Sequence, residues 1–130
     1  QLYTIRQKLL PYTIQCSSLI LHQGCCVGGD EQITILAFAL GFHICAHPPV
    51  ERRYYYSKLA HESSSITQKD APFLDRNHNI VDHSNIIIAA PKTKFEDLRS
   101  GTWATIRYAR SIGKHTIIVY TDGGFDEYNV

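Results

Sequence analysis

Four short stretches of this chain, Ser17–His22 (SSLILH), Phe42–His47 (FHICAH), Asn85–Pro91 (NIIIAAP) and His115–Tyr120 (HTIIVY), carry apolar residues at consecutive rather than alternate positions. A strand with one solvated face alternates apolar and polar side chains, whereas a strand apolar in successive positions is covered on both faces. Between these runs lie segments with apolar residues at helical spacing. They are Leu2, Ile5, Leu9 and Leu10 ahead of Pro11, then Ile33, Leu36, Ala37 and Leu40 closed by Gly41. Phe73, Leu74, Asn77, Ile80 and Val81 follow, and last come Trp103, Ile106 and Ala109 running to Gly113. Strands buried on both faces and alternating with helices predict a parallel sheet with helices on each side. With right-handed crossovers this is an α/β fold, a three-layer α/β/α sandwich of Rossmann-like, mostly parallel type. Residues 50–71 are polar and predict a loop with some helix.

A chain of 130 residues fits one domain, residues 1–130, with a single core. Its formal charge of +1 supplies no general basic field, so nucleic acid is a disfavoured partner and would need a local patch. No apolar stretch is long enough to span a bilayer and no signal pattern opens the chain, which predicts a cytoplasmic protein without a membrane partner. Cys16, Cys25, Cys26 and Cys45 include no C-x-x-C pair and are expected as reduced thiols. The chain begins at Gln1 and contains no methionine, so a preceding segment is expected.

In parallel sheets, ligands bind beyond the carboxyl ends of the strands, where loops run into helix N-termini. Three loops qualify: His22 to Asp30, His47 to Arg53, and Pro91 to Thr102. In the first, Gly24, Gly28 and Gly29 allow close backbone approach, and the following helix start attracts anions through its amides and dipole. Asp30 could serve there simply as the helix cap. The spacing is neither G-x-G-x-x-G nor a Walker A loop. The third loop repeats the pattern with Ser100, Gly101 and Thr102 opening a helix, and Arg99 before it offers a donor fork suited to phosphate. Two such turns on one sheet edge point to a phosphate or nucleotide held between them. The polar insert Lys92–Arg99 reads equally as a lid or as a solvated loop.

His43, Cys45 and His47 share one face of a strand by period two. In-line ligands on a buried strand usually lack a fourth ligand and an open position, so no metal and no cofactor is expected. Arg52 to Tyr56 (RRYYY) interleaves charge with rings, a pattern that suits stacking on a base as well as anchoring a loop.

Three segments, Gly24–Phe42 (GCCVGGDEQITILAFALGF), Pro72–Pro91 (PFLDRNHNIVDHSNIIIAAP) and Arg99–Val119 (RSGTWATIRYARSIGKHTIIV), resemble the superfamily that joins the DNA-processing (Smf-type) recombination mediators to the lonely-guy phosphoribohydrolases. The likeness is greatest to its small one-domain members and covers most of residues 18–121. It implies a Rossmann-like domain, with Arg76, Asn77, Pro91, Arg99, Ser100, Gly101 and Thr102 joining Gly24, Gly28, Gly29 and Asp30 around a nucleotide or nucleotide-derived ligand. Members of the superfamily cleave the N-glycosidic bond of nucleoside 5′-monophosphates, carry molybdenum cofactor, sense nucleotide signals or bind single-stranded DNA.

The hydrolase branch carries Pro-Gly-Gly-x-Gly-Thr-x-x-Glu. Pro91 and Gly101-Thr102 match it, but an insert replaces the paired glycines and Thr105 stands where the glutamate would. An oxocarbenium-like transition state needs a nearby carboxylate, which Thr105 cannot supply. The expectation is therefore binding of a nucleotide-type ligand, with N-glycosidase activity as the alternative and Asp30, Glu31 and Arg76 as its candidate catalytic residues. Single-stranded DNA binding through Arg52, Tyr54, Tyr55 and Arg99 is a further alternative. The resemblance also implies homodimerisation through helices, and a first strand ahead of Gln1.

Overall fold

The structure, a computed structural model, describes residues 1–16 and 18–130. Eleven elements run in the order α1 (Leu2–Gln15), β1 (Ile20–Gln23), α2 (Gly29–Ala39), β2 (His43–Ala46), α3 (Lys58–Glu62), β3 (Ile66–Thr67), α4 (Phe73–His83), β4 (Ile86–Ala89), α5 (Gly101–Ser111), β5 (His115–Val119) and β6 (Phe125–Tyr128). The fold is mixed α/β, with two three-stranded sheets. The chain divides into two compact units, one of residues 1–8 with 81–130 and one of residues 9–80.

The unit of residues 9–80 holds an all-parallel sheet in the order β1-β2-β3. Its register sets Leu21 beside Ile44 and His22 beside Cys45. Ile44, Cys45 and Ala46 of β2, the central strand, are almost fully enclosed, as expected for a strand covered on both faces. Helix α2 packs on β1 and β2, burying Thr34 and Ala37. It ends in a Schellman motif: Gly41 stands at φ 89, with Gly41 N–H donating to Phe38 O and Phe42 N–H to Ala37 O. The expected strand at Ser17–His22 is observed as Ile20–Gln23, with Ser17 outside the described residues. Residues 50–71 contain α3 and the two-residue strand β3.

The unit of residues 1–8 and 81–130 holds β4-β5-β6, with β4 and β5 parallel and β6 antiparallel to β5. Ala89, Trp103, Ile106, Ile118 and Tyr120 form one core cluster, and Val81, Ile87 and Ala109 another. Helix α5 also ends in a Schellman motif at Gly113 (φ 74), with Lys114 N–H donating to Ala109 O. Strand β6, Phe-Asp-Glu-Tyr, has no apolar run to announce it. Polar contacts hold it: Tyr120 Oη donates to Asp126 at 2.6 Å, His115 Nε2 meets Glu127 at 2.7 Å, and Arg110 lies 3.8 Å over the Tyr128 ring.

Two helices depart from their sequence reading. The spacing before Pro11 predicts a helix over 2–12, and the structure continues it to Gln15 with Pro11 inside. In α4 the apolar spacing selects Leu74, yet Leu74 is 60% exposed and Arg76 is 6% exposed. Arg76 takes the inward position because its guanidinium has partners there, described below. No helix among the described residues is long and apolar enough to cross a membrane.

Candidate functional site

The carboxyl end of β1 runs into the turn Gly24–Gly28 and then into α2. Glycine is required at position 28, where φ is 86 and ψ −112. Cys25, a residue with a side chain, takes φ 59. Such backbone persists only when the surroundings over-determine it, and here they do. Gln23, almost fully buried, accepts the Cys25 amide on Oε1 at 2.6 Å and donates from Nε2 to Ala60 O and Ser64 Oγ, at 3.1 and 3.2 Å. Val27 N–H donates to Tyr55 O at 2.7 Å, and Ser57 N–H donates to Cys25 O at 2.7 Å. Asp30 Oδ2 accepts the Cys26 amide at 3.0 Å, and the Gly24 amide also bonds to this carboxyl.

Arg76 closes the turn from α4. Its Nη1 donates to Gly24 O, its Nε donates to Asn77 Oδ1 at 2.8 Å, both terminal nitrogens lie 3.8 Å from Cys26 Sγ, and the cation stands 5.3 Å over the Phe73 ring. A Cβ at Gly24 would come within 2.7 Å of Arg76 Nη1, so glycine here makes room for the guanidinium. Burial raises the pKa of Asp30, opposed by the amide bonds from Cys26 and Gly24 and by the Arg76 charge. Burial, then the nearby Asp30 carboxyl, push Cys25 up to about 11 and raise Cys26 as well. Thiols held protonated in this way are poor nucleophiles.

The turn therefore differs in detail from an open anion cradle. The amides of Gly24, Cys25, Cys26 and Val27 are engaged within the fold. Approach is open at Gly28 and Gly29, where an added Cβ would meet nothing within 4 Å. Asp30 and Glu31 sit in the first turn of α2, where carboxylates favour the helix dipole and oppose a second anion. Arg76 supplies the opposing positive charge.

In the other unit, the start of α5 is simpler. Ser100 caps the helix by accepting the Trp103 amide on Oγ at 3.2 Å, and Gly101 and Thr102 are exposed. Trp103 Nε1 donates to Thr93 Oγ1 at 3.2 Å, tying the polar insert to the helix. Arg99 is exposed, and its amide donates to Asp97 Oδ1 at 2.9 Å. Pro91 is fully buried and its carbonyl accepts from Gln1 Nε2. Thr105 Oγ1 donates to Gly101 O at 2.9 Å, a bond within its own helix.

The Arg52–Tyr56 segment has its charges matched locally. Arg52 pairs with Asp70 at 2.6 Å and lies 4.9 Å over Tyr56; Arg53 pairs with Glu51 at 3.2 Å and lies 5.6 Å over Tyr54. Tyr54 and Tyr55 remain exposed.

One grouping was not legible in the sequence. His47, the residue just past β2, shares a 2.9 Å hydrogen bond between its Nε2 and Nδ1 of His22 in β1, and the same Nε2 lies 3.8 Å from Cys45 Sγ. His43, which the period-two reading places with Cys45 and His47, is exposed at the opposite end of β2. The partner comes instead from the neighbouring strand, through a register the sequence does not display.

No protein-family model, curated protein or solved structure matches the chain.

Proposed function

We propose that the protein is a Rossmann-like domain that binds a nucleotide or nucleotide-derived ligand, with its phosphate at the start of α2. The supporting observation is the turn after β1: open glycines at Gly28 and Gly29 at the carboxyl end of a parallel strand, beside a buried arginine fixed against the turn. Parallel-sheet proteins bind ligands at this end because the loops there lead into helix N-termini. The resemblance on Gly24–Asp30, Arg76-Asn77 and Arg99–Thr102 points the same way. A cytoplasmic setting belongs to this reading, as Cys16, Cys25, Cys26 and Cys45 are free thiols, and so does homodimerisation.

Binding without hydrolysis is the better-supported form. Thr105 offers a hydroxyl already used by Gly101 O, and the Asp30 carboxyl is occupied by two turn amides. Isothermal titration against nucleoside monophosphates, ADP-ribose species and cyclic nucleotides tests the proposal. Saturable binding by at least one of them is expected, and silence across the panel at millimolar ligand refutes it.

A further inference from the structure

The side chains of His22, Cys45 and His47 bring three metal-ligating atoms within 4.8 Å of one another. The backbone produces this triangle. His22 stands beside Cys45 in the parallel β1–β2 ladder, and His47 lies two residues beyond Cys45, so that period two returns it to the same face. Cys45 and His47 are almost fully buried and His22 is half-buried, which leaves a route for an ion from solvent.

We propose that these residues form a zinc-class metal site, with His22 Nδ1, His47 Nε2 and Cys45 Sγ as ligands and solvent or a bound molecule in the fourth position. Imidazole and thiolate donors select borderline-soft late transition ions over magnesium or calcium. Three protein ligands plus one exchangeable position is the pattern of reactive rather than purely structural zinc.

The distances suit the ion. Zinc–nitrogen bonds of about 2.0–2.1 Å and a zinc–sulfur bond of about 2.3 Å set tetrahedral edges of about 3.3 Å between nitrogens and about 3.6 Å between nitrogen and sulfur. The corresponding separations are 2.9 Å for His22–His47 and 3.8 Å for Cys45–His47, and all three ligand atoms lie within 4.8 Å of one another, so side-chain shifts of up to about 1 Å close the triangle on the metal. Gln68 Nε2 lies 3.8 Å from Cys45 Sγ, in place to donate to the thiolate as an outer-shell partner.

The protons balance simply. The hydrogen shared by the two rings moves to the other nitrogen of the ring that carries it, so both coordinating nitrogens present lone pairs. The Cys45 thiol loses its proton to solvent, and one proton is released per ion bound.

Protein stripped with a chelator is titrated with Zn²⁺ against a chromophoric competitor, and with Co²⁺ as a spectroscopic probe. The expected result is one ion per chain, bound tighter than micromolar, with a thiolate-to-cobalt charge-transfer band. Cys45→Ser should abolish that band, and His22→Gln should weaken zinc binding by at least about tenfold. His43→Gln should leave both unchanged, which separates this triangle from the in-line His43–Cys45–His47 alternative. Absence of stoichiometric binding or of the cobalt band in the unmutated protein overturns the proposal, and so does loss of binding in His43→Gln with retention in His22→Gln. The band in the unmutated protein decides the matter even where Cys45→Ser fails to fold.

Discussion

Two strand-to-helix turns in this chain follow the same local grammar, a parallel strand, glycine and a helix start, yet they are built differently. The turn at Gly24–Asp30 is fixed by two side chains of its own stretch, Gln23 to Cys25 and Asp30 to Cys26, and by one from a distant helix of its unit, Arg76 to Gly24. The start of α5 is closed by one local bond, Ser100 Oγ to the Trp103 amide, and its glycine is exposed. Hydrogen-bond donors at a helix start serve the fold or a ligand, and the first turn has committed most of its donors to the fold. Similar sequence at two turns is thus weak evidence for similar roles.

Removing Arg76 should have the largest effect on this contrast. Arg76→Ala removes the charged donor to Gly24 O and the positive charge facing the enclosed Asp30 carboxyl, and a hydrogen bond to a charged group contributes about 1.5–3 kcal/mol. Urea unfolding should show that loss; a change smaller than that of an ordinary surface substitution would mean that Arg76 does not brace the turn.

A pair of glycine substitutions sharpens the comparison at lower energy. Gly28→Ala forces a side chain into backbone at φ 86 and should destabilise by about 1–3 kcal/mol. Gly101→Ala occupies open space in ordinary helical backbone and should stabilise by up to about 1 kcal/mol. Equal effects in thermal melts would erase the distinction between the turns.

The smallest expected effect belongs to β6. The hydrogen bond from His115 holds the Glu127 carboxyl below its usual range, assisted by Lys8 and opposed by slight burial. A carboxylate with a depressed folded pKa stabilises above its unfolded value of about 4.5, and that contribution disappears as pH falls through the folded pKa. Glu127→Gln should therefore flatten a modest part of the acid-induced loss of stability below pH 4.5. Both side chains keep some solvent contact, at 18% and 27% exposure, so the effect is modest. Identical acid profiles for the two proteins would show that the pair contributes nothing to the edge strand.

Four of the six strands among the described residues were legible because consecutive apolar residues such as Ile86–Ala89 carry their own signal. Strand β3 is two residues long, and β6 is held by Asp126, Glu127 and Tyr128 contacts that no hydropathy pattern announces. The glycines and Arg76 of the candidate site could be read from the sequence, but the use of the Gly24–Val27 amides within the fold could not. Their partners, Gln23 apart, lie at Asp30 and Tyr55, and only folding brings Tyr55 to Val27.

By itself the sequence determined the alternation of buried strands and helices, the glycine-dependent ends at Gly41 and Gly113, and the absence of a general basic field. These are local or summed properties, fixed by side-chain type and spacing. Tertiary structure alone decided which side chains meet: Arg76 inward in place of Leu74, and His22 rather than His43 with Cys45 and His47. Such meetings depend on strand register and helix rotation, which are set by packing across the chain.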